Sequence, residues 1–111
     1  MPIVSESELV AAITRDRAAR KRVALAVLCF DVLRVEHART IQGAANQADR
    51  VIVAVLDDAA VRAAMGEGRP VVSADDRAEL ADGVRGVDYV IVCSHAAVER
   101  LTSLLTPDVR V

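Results

Sequence analysis

Residues 23–37 read VALAVLCFDVLRVEH, and this stretch decides the fold because it joins an apolar run to the start of a helical pattern. The run at 23–30 is apolar throughout and mostly β-branched or aliphatic, as expected of a strand covered on both faces. Residues 33–48 then have helical spacing. The junction contains no glycine and carries Glu36 directly before His37. The functional interpretation depends on these two features.

The alternation of strands and helices continues along the rest of the chain. Residues 5–20 have helical patterning, with Ser5 and Glu8 in a capping box. Further strands are predicted at 50–56, 88–93 and 107–111, and further helices at 73–84, at 95–105 and from Asp57 or Asp58 to Met65. Such alternation predicts a parallel sheet with right-handed crossovers and helices on both faces. We therefore expect a three-layer α/β domain with about four parallel strands.

The bulk composition limits the classes of function. A chain of 111 residues is one domain, which we divide into a helix at 1–20 and a domain proper at 21–111. A hydrophobic content of 53% excludes a disordered chain. The net charge of −2 gives no reason to expect a nucleic-acid or membrane partner, and the basic cluster at 15–22 is typical of a solvated helix face. With no signal peptide or long apolar span, we expect a soluble cytoplasmic protein.

The cysteines and histidines do not form a recognisable reactive cluster. Cys29 and Cys93 both lie in apolar strand-like runs, so we predict buried, reduced thiols rather than a disulfide. Because Cys29 is expected to face the core, a nucleophilic pair with His37 is not expected. Only one other histidine, His95, is present, so no metal cluster is predicted.

From residue 21 onward the chain resembles the cytidylyltransferase-like nucleotidyltransferases, especially the ADP-heptose synthase (heptose-1-phosphate adenylyltransferase) and glycerol-3-phosphate cytidylyltransferase group. Each matching landmark is weak alone, and the combination in order and at the expected spacing is specific. Residues 1–20 look like the helix that often precedes this domain. The landmarks are CFDVL (29–33), His37, DRVIVAV (49–55), Asp58, VR (61–62), GEGRP (66–70), DR (76–77), VDYV (87–90) and PDVRV (107–111).

This resemblance implies a Rossmann-like fold and a reaction that joins ATP or CTP, with Mg²⁺, to a sugar phosphate or polyol phosphate and releases pyrophosphate. The family's signature is His-x-Gly-His at the start of the helix after the first strand. There two imidazoles and backbone N–H groups hold the triphosphate and stabilise charge on the α-phosphorus. The substrate's own phosphate attacks, so catalysis is mostly positioning and electrostatics. The resemblance implies nucleotide or phosphate contacts for Phe30, Asp31, His37, Asp58, Arg69 and Arg77.

The chain departs from the signature at the motif itself, which reads Arg34-Val35-Glu36-His37. Only the second histidine is present. A guanidinium forks well onto phosphate, so Arg34 and His37 are the catalytic candidates if the domain is active. Glu36 places a side chain where glycine allows close approach and a negative charge where the triphosphate would lie. A carboxylate in the first turn stabilises a helix by about 0.3–1 kcal/mol, so we expect this helix to fill its anion site itself.

Three further departures point the same way. Val27 and Leu28 stand where the family usually has Asn-Gly or a similar small pair, and no glycine precedes Gly43, so no glycine-rich phosphate loop follows the first strand. Met65 stands where a lysine commonly precedes the GEGRP-like segment. The chain also stops at Val111, before the family's Lys-Gly-Gly-Asp-like and Ser-Thr-rich segments, which we expect to leave the nucleotide site incomplete.

Each candidate side chain could also have a purely structural role, without a ligand. His37 would then be a histidine at a helix N-terminus and nothing more. The corresponding structural roles are helix caps for Asp31 and Asp58, an ion pair of Arg34 with Glu36 or Asp31, and ion pairs of Arg69 and Arg77 with Asp75, Asp76 or Glu79.

We therefore interpret the chain as a nucleotidyltransferase-like domain that is catalytically impaired or inactive. It would keep residual nucleotide or phosphate binding and would act as a homodimer or by binding another protein. The alternative is an active adenylyl- or cytidylyltransferase in which Arg34 replaces the first histidine. A third hypothesis is an anion sensor that uses Arg69, Arg77 and His37 without turnover. No metal site is predicted beyond the Mg²⁺ that would accompany ATP or CTP.

Overall fold

A computed structural model describes residues 3–29, 31 and 34–111. The predicted helices and strands are all present, with ends within a few residues of the predicted ones. The strands are β1 (Val23–Leu28), β2 (Arg50–Leu56), β3 (Tyr89–Cys93) and β4 (Val109–Arg110). The helices are α1 (Glu6–Ala18), α2 (Val35–Gln47), α3 (Asp58–Met65), α4 (Ala74–Asp82) and α5 (His95–Leu105). No helix in these described ranges is long and apolar enough to cross a membrane.

The four strands form one parallel sheet in the order β3-β2-β1-β4, which confirms the predicted sheet. From β1 the chain steps outward to β2 and then β3, after which α5 crosses back and places β4 on the other side of β1. The strand order therefore reverses at β1. In open parallel sheets, ligands bind beyond the carboxyl ends of the strands at such a reversal. The residues that follow β1 are the ones quoted at the start of the sequence analysis.

The sheet is covered by helices on both faces, as predicted. One face packs against α1 and α5, in an aliphatic cluster that includes Leu9, Ile13 and Leu101. The other face packs against α2 and α4, in a cluster that includes Ile41 and Ala78. Burial of one large aliphatic side chain contributes about 1.5–3 kcal/mol, so α1 is an integral part of the core.

Three aspartates close the amino ends of the strands. Each directly precedes a strand, and its Oδ2 accepts a backbone N–H at the start of the neighbouring strand at 2.8 Å. The pairs are Asp49 with the N–H of Arg22, Asp88 with that of Val51, and Asp108 with that of Val23. A carboxylate satisfies a backbone donor well because the hydrogen bond is charge-assisted. The aspartates before β2, β3 and β4 thus help to set the register of the sheet.

Candidate functional site

A pocket of about 340 Å³ lies beyond the carboxyl end of β1. Four of the predicted site residues line it together, and Phe30 falls outside the described residues. Asp58 and Arg77 do not line it: Arg77 is fully buried, and the half-exposed carboxylate of Asp58 pairs with it. The lining residues are Cys29, Asp31, Arg34, Glu36, His37, Met65 and Arg69. A larger, open depression lies along α1, where no predicted site residue is found.

The first turn of α2 is closed by the histidine of the degenerate motif. Arg34 is the N-cap, with extended backbone angles, and its N–H donates to Nδ1 of His37 at 3.0 Å. The N–H of His37 donates in return to the carbonyl of Arg34 at 3.1 Å. Because Nδ1 is an acceptor, the neutral imidazole carries its proton on Nε2. One ring nitrogen of the surviving histidine is therefore directed at the helix backbone.

Arg34 and Glu36 form a loose ion pair at the mouth of the pocket. Nη1 of Arg34 lies 3.6 Å from Oε1 of Glu36, and the two side chains are 66% and 70% exposed. Glu36 is one of the two ion-pair partners that the sequence predicts for Arg34. Exposed pairs of this kind contribute at most about 1 kcal/mol, so the pair is weakly held. Glu36 lies in the first turn of α2, where an anionic ligand would be stabilised by the helix dipole.

Asp31 accepts hydrogen bonds from the segment that precedes α4 and is not the N-cap of α2. The prediction that it caps a helix is therefore wrong. Its carboxylate is buried, and Oδ1 accepts the N–H groups of Val71 and Val72 at 2.7 and 3.0 Å. Nε of Arg69 lies 3.1 Å from Oδ2, but Oδ2 accepts no aligned hydrogen bond from any described residue. The Val72 N–H is the largest influence on the pKa of Asp31. Together with the Val71 N–H and the Arg69 guanidinium it lowers that pKa, although burial raises it.

Arg77 is fully buried and ties together the segments beneath the pocket. Its Nη1 donates to the carbonyls of Cys29 and Leu56, each at 2.6 Å, and Nε donates to the carbonyl of Val72 at 2.9 Å. Its Nη2 donates to Oδ1 of Asp58 at 2.8 Å. The guanidinium thus links the carboxyl ends of β1 and β2 to the start of α3 and the segment before α4.

These contacts correct three structural roles predicted from the sequence. Arg77 pairs with Asp58 and Arg69 pairs with Asp31, whereas we had predicted Asp75, Asp76 or Glu79 as partners. Asp58 is not the cap of α3, because Asp57 is the N-cap and accepts the N–H of Ala60 at 2.8 Å. Arg77 is consequently not presented to a ligand in the pocket.

The two cysteines differ in environment. Both are free thiols, which confirms the absence of a disulfide between them. Cys93 is buried as predicted, and burial, with smaller effects of Asp57 and Glu6, raises its pKa to about 11. Cys29 was predicted to face the core, but it is half-buried and lines the pocket. It lies one residue beyond the end of β1, where strand alternation no longer sets the direction of a side chain.

The charges of the pocket do not fit a magnesium–triphosphate complex. The lining residues contribute two guanidinium groups and two carboxylates, so the pocket has no net positive charge to offer. A carboxylate and a phosphate charge 4 Å apart would repel each other by about 4 kcal/mol at an effective dielectric constant of about 20. This repulsion exceeds the stabilisation that the helix dipole gives to a bound anion. In the described part of the chain no three metal-ligating side chains converge.

Comparison with known proteins gives one consistent result. A family model described as cytidylyltransferase-like matches residues 25–111. The chain is 38% identical over 109 residues to the bifunctional protein HldE of Shewanella sp. (strain ANA-3) and 37% identical over 109 residues to that of Alkalilimnicola ehrlichii. These matches cover 98% of this chain, including α1, but only 23% of the length of each relative.

A solved structure shows the same likeness at the level of fold. The lipopolysaccharide core biosynthesis protein from Thermoplasma volcanium GSS1 superposes with a TM-score of 0.73 at 20% sequence identity. The superposition covers 81% of this chain and 72% of that chain. The parallel four-stranded sheet and its covering helices thus have the Rossmann-like architecture expected from the sequence.

Proposed function

Because the chain belongs to the cytidylyltransferase-like family, we propose that it is a nucleotidyltransferase-like domain whose catalytic activity is impaired or lost. It keeps at most weak binding of nucleotides or phosphates and acts by associating with another protein or with a second copy of itself. One observation carries this proposal: Glu36 occupies the first turn of α2 at the mouth of the pocket, beside Arg34.

The position of Glu36 weakens triphosphate binding in two ways. Its charge opposes a phosphate at the place where the helix dipole would otherwise favour one. Glu36 also forms an ion pair with Arg34, the cation that stands in place of the first motif histidine. This guanidinium is therefore less available to bind a phosphate. Because Glu36 is exposed, the pair can open, and the residual affinity of the pocket for anions is low rather than zero.

Arg69, the second cation of the pocket, is engaged as well. Its Nε lies 3.1 Å from the buried carboxylate of Asp31, whose lowered pKa keeps it ionised at neutral pH. A phosphate that recruited Arg69 would leave that carboxylate without its ion-pair partner. The carboxylate would then keep only the N–H groups of Val71 and Val72 as partners, which makes this arginine a poor phosphate ligand.

An active transferase and an anion sensor have less support from the same contacts. An active transferase would use Arg34 and His37, yet Arg34 pairs with Glu36 and Nδ1 of His37 accepts a backbone N–H. An anion sensor would use Arg77, whose guanidinium donates to four acceptors within the protein. The impaired domain therefore accounts best for the arrangement of the pocket.

A thermal-shift titration with ATP and CTP, each with and without Mg²⁺, tests the proposal. Wild-type protein is expected to show no shift at millimolar nucleotide, whereas Glu36→Gly is expected to gain a saturable one. Binding at a hundredfold excess over Kd would add about 2.7 kcal/mol to the free energy of unfolding. Asp75→Gly is the matched control, because Asp75 is an exposed acid at the same second position of α4. A saturable shift of the wild-type protein would overturn the proposal.

A further inference from the structure

Six basic side chains are concentrated at the amino end of the sheet, away from the pocket. Arg15 and Arg17 lie in the last turn of α1, residues 19–22 link α1 to β1, and Arg50 is the first residue of β2. The pocket lies beyond the carboxyl end of β1, so a surface here is separate from it. We call this group the basic rim. Its members are Arg15, Arg17, Arg20, Lys21, Arg22 and Arg50.

Contacts within the fold show that the basic rim is continuous. The buried carboxylate of Asp16 lies at its centre, where Oδ2 is 3.5 Å from Nε of Arg50 and accepts the hydroxyl of Tyr89 at 2.9 Å. The carbonyl of Asp16 accepts the N–H of Lys21 at 3.0 Å. The N–H of Arg50 donates to the carbonyl of Arg22, also at 3.0 Å. The end of α1, the link to β1 and the start of β2 therefore form one surface.

The basic rim is positive although the whole chain has a net charge of −2. It holds six of the 14 lysines and arginines, whereas only four of the 16 acidic residues lie among or directly beside them. Each of these four carboxylates already accepts a hydrogen bond from a backbone N–H or from the Tyr89 hydroxyl. The excess positive charge is therefore available to an acidic partner. The four acidic residues are Asp16, Asp49, Asp88 and Asp108.

Arg20 and Lys21 are the cations of the basic rim that are best placed for a partner. Within the ranges 3–29, 31 and 34–111, neither side chain makes a hydrogen bond or an ion pair. Arg20 is exposed, and its φ of 62° lies in the left-handed region that favours glycine directly after a helix. An arginine at such a position is consistent with a side chain used for binding rather than for local stability.

The residue types of the basic rim match separate carboxylates better than an array of phosphates. Five of its six cations are arginines, whose planar fork fits a carboxylate. A duplex or an anionic bilayer presents closely spaced phosphates, which would also meet the exposed residues Asp49 and Asp108. A peptide can place its carboxylates between these two aspartates.

Two other kinds of partner lack the side chains that they need. Single-stranded nucleic acid needs aromatic faces on which its bases stack, and the neighbouring Tyr89 is half-buried with its hydroxyl on Asp16. A membrane-inserting surface needs exposed apolar side chains. Among the described residues, none of the strongly exposed large apolar side chains belongs to the basic rim.

We propose that the basic rim binds an acidic segment of a partner protein, with aspartate or glutamate carboxylates on Arg20, Lys21 and Arg22. This inference rests on the proposed function, because it names the chemistry of the protein with which the domain associates. Ion pairs of Arg17 with Asp108 and of Arg50 with Asp16 hold the backbone around these cations. A surface that is ordered before association loses less conformational entropy when a partner binds.

Fluorescence anisotropy with a labelled peptide of alternating glutamate and glycine tests this surface. Wild-type protein is expected to bind it saturably, to ignore the same peptide with glutamine, and to bind more weakly as salt is raised. Arg20→Glu/Arg22→Glu is expected to raise the Kd by about tenfold or more, because each reversal replaces attraction by repulsion. Arg39→Glu/Arg62→Glu is the matched control: it changes the net charge equally at exposed positions of α2 and α3 and is expected to bind as wild type.

Arg20→Gly separates peptide binding from stability. Glycine adopts positive φ readily, so this variant is expected to melt at or above the wild-type temperature and yet to bind the peptide more weakly. Unchanged peptide binding by Arg20→Gly would contradict the proposal. So would equal weakening by the two double variants, which would show that only the net charge matters.

The probe itself can also overturn the proposal. A wild-type protein without saturable peptide binding does so, as does tighter binding of phosphatidylglycerol vesicles or of duplex RNA than of the peptide. Titration with ATP and CTP keeps the two proposals apart. A wild-type protein that binds neither nucleotide nor peptide refutes this inference alone, and one that binds nucleotide saturably refutes the proposed function whether or not it binds the peptide.

Discussion

Replacement of Arg77 by methionine is expected to destabilise the domain more than any other single change at the pocket. The guanidinium is fully buried and donates to three backbone carbonyls and to the carboxylate of Asp58. Methionine fills much of the same volume but leaves the carbonyls of Cys29, Leu56 and Val72 without these donors. A buried acceptor that loses its partner costs about 1–3 kcal/mol, although Asp58 is half-exposed and can be hydrated. We expect a total loss of about 3–5 kcal/mol in the free energy of unfolding.

Urea unfolding followed by circular dichroism measures this loss directly. A loss of this size lowers Tm by roughly 10–30 °C in a domain of about 100 residues. Arg77→Lys is expected to fall between wild type and Arg77→Met, because an ammonium keeps the charge without the planar fork. Arg39→Met, at an exposed position of α2, is the control and is expected to stay within about 0.5 kcal/mol of wild type. A loss below about 1 kcal/mol for Arg77→Met would refute the reasoning, because the three carbonyls would then have other partners.

Three further predictions follow from named contacts. The pKa values of Asp31 and Asp108 are lowered in the folded state, chiefly by backbone N–H groups of Val72 and Val23. The stabilisation of the fold by these two carboxylates is therefore present above the unfolded pKa of about 4 and is lost as pH falls through the lower folded values. Unfolding in urea should consequently become easier below about pH 4. The stability of an Asp31→Asn/Asp108→Asn variant should depend less on pH in this range. Asp88→Ala is expected to cost about 1–2 kcal/mol by removing the acceptor of a strand N–H, and a cost near zero in urea unfolding would contradict the register role. Iodoacetamide at mildly alkaline pH should modify Cys29 well before Cys93, whose burial raises its pKa to about 11; equal rates by peptide mass spectrometry would contradict the two environments.

The local signals in the sequence were sufficient for the order of elements. The unbroken aliphatic run before Cys29 and the serine and aspartate caps locate the helices and strands to within a few residues. The motif Arg34-Val35-Glu36-His37 also places the candidate site at the end of β1, where the pocket lies. These features depend on neighbouring residues, which a single sequence displays.

The contacts that define the pocket depend on distant partners, and the sequence could not reveal them. Asp31 follows a strand and so resembles a helix cap, but its partners are backbone N–H groups at Val71 and Val72. Arg77 lies in the first turn of α4, where an arginine is ordinarily exposed. It is buried here because three separate segments bring four acceptors to it, and only the folded chain assembles that set.

The central proposal, that the catalytic activity of the domain is impaired or lost, is tested most directly by a pyrophosphate-release assay. Wild-type protein would be incubated with ATP or CTP, Mg²⁺ and a panel of sugar phosphates and polyol phosphates, beside the double variant Arg34→His/Glu36→Gly, which restores His-x-Gly-His. We expect no release above the protein-free blank from the wild type, whatever the double variant does. Pyrophosphate release by the wild type that His37→Ala abolishes would contradict it.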